Sequence, residues 1–176
     1  MSEYQTVEQA RAEVMAAAND GTKCPCCGQN VKVYERAITG GMARALVAIY
    51  KATPQAGPQS APGGLRGGGG HDWVHVPTLL RRNGIGEKHV AMMRYWGLVV
   101  QKPGERDDGS KATGWWMITA LGVQFVQGLV KLPQKVRVFN TQFLGVVAGS
   151  INVGIADVAG KTFNYRELMG SPTGGL

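Results

Sequence analysis

Every cysteine in this 176-residue chain lies in "CPCCGQ" at 24–29: Cys24, Cys26 and Cys27, followed at once by Gly28. Cys24 and Cys27 have the C-x2-C spacing of a thiolate knuckle, a turn that aims two sulfurs at one ion. Gly28 permits the backbone such a turn needs. Cys26 fills the intervening position and is expected to point away. The chemistry implied is zinc binding, with Cys24 and Cys27 as half of a tetrahedral set. No cysteine remains for the other half, so histidines are the candidates. His71 and His75 in "HDWVH" fall within the spacing that pairs histidines on zinc. The stretch "WVHV" looks extended, however. On a strand the two imidazoles would stand roughly 13 Å apart, so both bind only if the chain bends at Asp72. One histidine with all three cysteines, a site completed by another chain, and a turn that binds no metal are the other readings. His75 is the favoured ligand because it lies in an ordered strand, whereas His71 follows four glycines. His89 reads as an exposed helical residue.

No other group of residues suggests catalysis. Ser2, Ser60, Ser110, Ser150 and Ser171 all fall in loops or turns, and none sits in a nucleophile elbow. Asp107 and Asp108 lie on a hairpin tip, where paired carboxylates are usually solvated. "GGLRGGGG" lacks the G-K-[ST] of a phosphate loop and opens no helix. The chain reads as a non-enzyme. Its charge points elsewhere. The formal net charge is +7, yet residues 1–20 hold four acids and one base, a net of −3 that leaves +10 on the rest. A polyanion, and a phosphate backbone first of all, is the plain partner for that surplus. No apolar run approaches the roughly 18–20 residues that span a bilayer. The opening Met-Ser-Glu-Tyr lacks the basic and apolar regions of a secretory signal. Clustered thiols without a signal fit a reducing compartment, the cytoplasm.

The elements that must position these residues follow from periodicity. "VEQARAEVMAAAND" (7–20) has helical spacing and a stop at Asn19-Asp20-Gly21. "NVKVYERA" (30–37) alternates like a strand. "TGGMARALVAIYKA" (39–52) is an apolar helix with Thr39 as its N-cap. Residues 53–70 contain three prolines and seven glycines and predict a mobile loop. Then come a short strand "DWVHV", a helix with Pro77 in its first turn, and a turn at Asn83-Gly84. A second helix spans 87–97 and stops at Gly97. Strands at 98–103 and 114–119 flank a polar tip, and a helix covers 120–130. Beyond Pro133, "KVRVFN", "QFLGVV" and "SINVGIAD" predict a three-stranded meander, and "KTFNYRELMGS" a short helix anchored by Phe163 and Tyr165.

This order predicts an α+β fold: a winged-helix core with an N-terminal helix, a cysteine knuckle and a small C-terminal β meander. The expected divisions are residues 1–21 (helix), 22–37 (zinc knuckle and strand), 38–130 (winged helix with the 53–70 loop) and 131–176 (β-rich extension). The second helix would enter the major groove of duplex DNA, presenting Lys88, Met92 and Tyr95. Arg81, Arg82 and Arg94 would approach phosphates, and Lys102, Arg106 and Lys111 of the wing would reach the adjacent backbone. That stripe lacks the Arg, Asn or Gln that reads bases, so affinity is expected to be electrostatic. Glu105, Asp107 and Asp108 nearly cancel the wing's own bases. The alternative is a module that docks on a host protein complex, a polymerase or defence system. Its anchors would be Met92, Tyr95 and the Trp115-Trp116 pair, of which strand alternation turns one tryptophan inward and one outward. Homodimerisation through the meander is left open by the sequence.

"CPCCGQNVKVY", "GMARALVAIY", "WVHV", "RYWGLV", "GWWMITALGVQFVQG" and "FNYRELM" together resemble a group of small, largely uncharacterised proteins encoded by bacteriophages and prophages. The likeness runs from about residue 22 to residue 169, and the Gly/Pro run at 53–70 departs from it. The resemblance implies an origin and a compartment, a phage product in the bacterial host cytoplasm. It implies no particular activity.

Overall fold

The computed structural model describes residues 6–53, 73–86, 88–104 and 114–160. The expected Gly/Pro loop beyond Thr53, His71, the hairpin tip with Arg106 and Lys111, and the expected helix with Phe163 and Tyr165 lie outside the described residues. The chain opens with α1 (Val7–Ala17), β1 (Thr22–Lys23), β2 (Asn30–Val31) and β3 (Tyr34–Ala37). Next are α2 (Gly40–Ala52), β4 (Val74–His75), α3 (Val76–Arg82) and α4 (Lys88–Met93), the last continued by a 3-10 turn at Arg94–Trp96. β5 (Val99–Gln101), β6 (Trp115–Ile118), α5 (Ala120–Val126) and β7 (Leu132–Pro133) follow. The described chain closes with β8 (Lys135–Phe139), β9 (Gln142–Val146), β10 (Asn152–Val153) and α6 (Ile155–Ala159). Helices and antiparallel sheets are mixed, as an α+β fold requires.

The chain forms two compact units. Residues up to Ala37 join Lys135–Ser150 in the first, while Ile38–Gln134 and the segment from Ile151 form the second. The expected C-terminal extension is therefore divided between them. Its strands are also not a three-stranded meander. β8 and β9 pair with each other and with β3 in the order β3-β8-β9, but β10 pairs with β7. Hydrogen bonding decides this. Gln134 N–H donates to Ile151 O at 2.8 Å, which carries the chain back beside β7 instead of onward beside β9.

In the first unit, Thr6 caps α1 and exchanges hydrogen bonds with Gln9, a capping box. The predicted strand at 30–37 is two strands with different partners. β2 turns back on β1, whereas β3 lies along β8, and between them Val33 N–H donates to Ala18 O at 2.8 Å. β8 and β9 meet through a two-residue turn at Asn140-Thr141, both with positive φ (43° and 64°). Such a primed turn matches strand twist, and Asn is suited to it; Thr is not.

The second unit is organised around α2. Met42, Ala43, Ala45, Leu46, Val47 and Ile49 are all buried, so nearly the whole circumference faces protein. It packs on α3, α4, α5, α6 and β6. Thr39 caps it as predicted, accepting Met42 N–H at 3.4 Å. Pro77 lies in the first turn of α3, also as predicted. α4 is shorter than expected, because the helix tightens at Arg94 before Gly97 ends it with φ 68°. β4, β6 and β5 form one antiparallel sheet in that order. Trp116 is buried at 7 % exposure and Trp115 is 37 % exposed, the inward and outward split that alternation demands. Thr119 joins sheet to helix: its hydroxyl donates to Gly97 O and accepts from Gly122 N–H, opening α5. α5 ends at Val126, earlier than the predicted 130, and Leu129 is exposed rather than on an apolar helical face. Gln127 N–H and Leu129 N–H still close the last turn, and Gly128 at φ 74° turns the chain away.

Candidate functional site

The cysteines sit in the loop of the β1–β2 hairpin, in the first unit. Thr22 pairs with Val31 and Lys23 with Asn30. Inside that frame Cys24 N–H donates to Gln29 O, and Gly28 N–H to Cys24 O, each at 2.8 Å. Gly28 has φ +70° with open space where a Cβ would be, so the turn needs its backbone freedom rather than its small size. The turn directs the backbone N–H groups of Cys26 and then Cys27 at the Cys24 sulfur. This holds the Cys24 thiol below the ordinary thiol range. Cys26 moves the opposite way, first through partial desolvation and then through the neighbouring Cys24. Cys24 is half-buried, Cys26 and Cys27 exposed. The hairpin was not predicted. Its two-residue strands carry too little alternation to register, and the signal was the cysteine turn itself.

The turn by itself presents no complete donor set for a metal. Among the described residues, no group of three or more Cys, His, Asp or Glu is arranged to hold a metal. His75, favoured as the completing ligand, belongs to the second unit. There its Nδ1 lies 2.8 Å from Thr78 Oγ1 and its ring packs against Trp115, centroids 5.1 Å apart.

Among the described basic residues of the second unit, Arg81, Arg82, Lys88, Arg94 and Lys102 fall in the run from α3 to the residue after β5, while Arg44, Lys51 and Lys131 lie elsewhere. Asn83 Nδ2 donates to Leu79 O at 2.8 Å and Ile85 N–H to Leu80 O at 2.9 Å. With Gly84 at φ 63°, these bonds close α3 and reverse the chain into α4. Arg81, Arg82, Lys88, Arg94 and Lys102 are all exposed. Arg81, Arg82, Lys88 and Lys102 have no acidic partner among the described residues. Met92 and Tyr95 are half-buried rather than freely presented. Arg94 lies over the Tyr95 ring at 5.0 Å and donates to its hydroxyl at 3.2 Å, which fixes the guanidinium on this face. Lys102 Nζ sits 5.9 Å from the Trp115 ring centroid.

His89 differs from its expected exposed state. It is half-buried, and a Cβ on Gly41 would fall 2.6 Å from its Nε2. Burial, then Lys88 and Arg44, lower its pKa. Gly41 in the first turn of α2 was the sequence signal: a side chain there would occupy the space of the ring.

Compared with protein-family models, curated proteins and solved structures, the chain gives no significant match. Among the described residues, no helix is long and apolar enough to cross a membrane.

Proposed function

We propose that the chain is a winged-helix protein that binds duplex DNA and acts as a phage-encoded regulator in the bacterial cytoplasm. One observation carries the reading. α2, β4, α3, α4, β5 and β6 follow in the order of a winged helix, with sheet order β4-β6-β5, and five exposed cations fall in the chain run from α3 to the residue after β5. In that arrangement α4 faces the groove and Arg81, Arg82, Lys88, Arg94 and Lys102 face phosphates. The stripe of Lys88, Met92 and Tyr95 holds no base-reading amide, so binding is mainly electrostatic and falls steeply with salt. The test is duplex binding at low and moderate salt. Absence of binding at low salt removes the reading.

The cysteine turn is the proposal's second part, a structural zinc site held by Cys24 and Cys27. The support is the turn geometry, with two thiols at C-x2-C spacing on a hydrogen-bonded hairpin loop. The remaining ligands would come from a second chain. When bound, zinc would cross-link the loop and so add to folding stability.

A second reading, docking on a host protein complex, draws on β9. Phe143, Leu144 and Val146 are about half exposed on an edge strand that carries no charge, a surface suited to strand addition or apolar contact. It becomes the preferred reading if DNA binding fails.

A further inference from the structure

A shallow cavity of about 570 Å³ opens on the second unit, lined by His75, Thr78, Leu79, Arg82 and Trp115. This volume lies within the roughly 300–1,000 Å³ of small-ligand clefts. Two aromatic rings form part of its wall, His75 and Trp115, tilted by 53° to each other. Both are held in place. His75 shares a hydrogen bond with Thr78, and its strand pairs with that of Trp115 so that the two residues face each other directly. Cations flank the rings: Arg82 lines the cavity, and Lys102 Nζ stands over Trp115.

This combination matches a nucleotide. A base needs an aromatic face to stack on, and its phosphate needs a positive charge beside that face. Phosphates of a continuous duplex would need the cations alone, and an exposed tryptophan would gain nothing from them. An apolar protein side chain could fill the cavity but would leave both cations unused. We infer that the cavity takes an unpaired nucleobase of a DNA strand, stacked against Trp115 with its phosphate on Arg82. The inference rests on the nucleic-acid reading above and adds a preference for a single-stranded tail beside the duplex.

The experiment compares three labelled DNAs by fluorescence anisotropy: a blunt duplex, the same duplex with a short thymine tail, and one with an abasic tail of equal length. The abasic tail adds the same charge without the bases, so the ratio of the two tailed affinities isolates stacking. The thymine tail should bind about fivefold tighter or more than the abasic tail. That ratio should fall to about one in Trp115→Ala and be largely kept in Trp115→Phe. Equal affinity of the wild-type chain for both tails, with the blunt duplex still bound, overturns the cavity's role and leaves the nucleic-acid reading standing. Failure to bind any of the three overturns both.

Discussion

Two glycines of the second unit look alike in sequence and differ in what they tolerate. A Cβ on Gly122 would lie 2.3 Å from Leu98 O and 2.7 Å from Ile118 Cγ1. Backbone cannot swing aside, so Gly122→Ala should cost at least about 2–3 kcal/mol, read by denaturant unfolding. At Gly41 the obstacle is the His89 ring, which can rotate outward. The gain of about 1 kcal/mol from Ala in a helix offsets part of that displacement, so Gly41→Ala should be the milder variant. His89 itself makes stability depend on pH. Its folded pKa lies below the unfolded 6.5, so the unfolded state binds the proton more readily. The contribution is present in full above about pH 6.5 and is lost as pH falls through that value toward the folded pKa. Lys88 and Arg44 reinforce the effect. His89→Gln should flatten the unfolding free energy between about pH 5 and pH 7 relative to the parent. The cysteines separate in the same way. If zinc is structural, Cys24→Ser should lower the melting temperature and release metal, while Cys26→Ser should do little. Near-zero zinc in protein purified without chelator would reduce the cysteines to a turn.

At the scale of elements, the β8–β9 turn holds a prediction of its own. Thr141 occupies a left-handed conformation at φ 64°, where a β-branched residue is strained by about 1–2 kcal/mol. Thr141→Gly should relieve more strain than it adds in unfolded-state entropy and raise the first unit's stability by up to about 1 kcal/mol. Most elements were legible in the sequence where one local signal dominated. Thr39 before an apolar period marked the start of α2, Pro77 the first turn of α3, and Gly97 the end of the α4 segment. Where the deciding partner is distant in sequence, reading failed. The alternation across 30–37 is real, but β2 and β3 answer to β1 and β8, and nothing local announces that division. β10 has the composition of a meander strand, but its pairing with β7 depends on the backbone path from Gln134 to Ile151. Of the expected interface, Arg81, Arg82, Lys88, Arg94 and Lys102 are exposed, whereas Met92 and Tyr95, expected on the exposed stripe, are half-buried. The His75–Trp115 contact joins residues 40 apart on two paired strands, and nothing local in the sequence announces it.

For the molecule as a whole, the division into two units separates the cysteine turn from the basic face in chain terms. The first unit brings together chain from either side of the second, which makes its sheet a product of long-range pairing. Arg81, Arg82, Lys88, Arg94 and Lys102 come from one continuous run of chain, from α3 to the residue after β5. Arg81→Ala with Arg82→Ala should therefore weaken all duplex sequences alike and reduce the slope of log affinity against log salt by about 2, without disturbing the fold of residues that are exposed in the parent. The central claim, that this face binds DNA through phosphates, is tested most directly by the parent chain alone. Affinity for a random-sequence duplex should be measured by anisotropy at about 50 and about 200 mM salt. With Arg81, Arg82, Lys88, Arg94 and Lys102 each meeting one phosphate, the slope should be near −4.5 and affinity should fall about 500-fold between the two conditions. No binding at the lower salt, or binding that salt leaves unchanged, would contradict it.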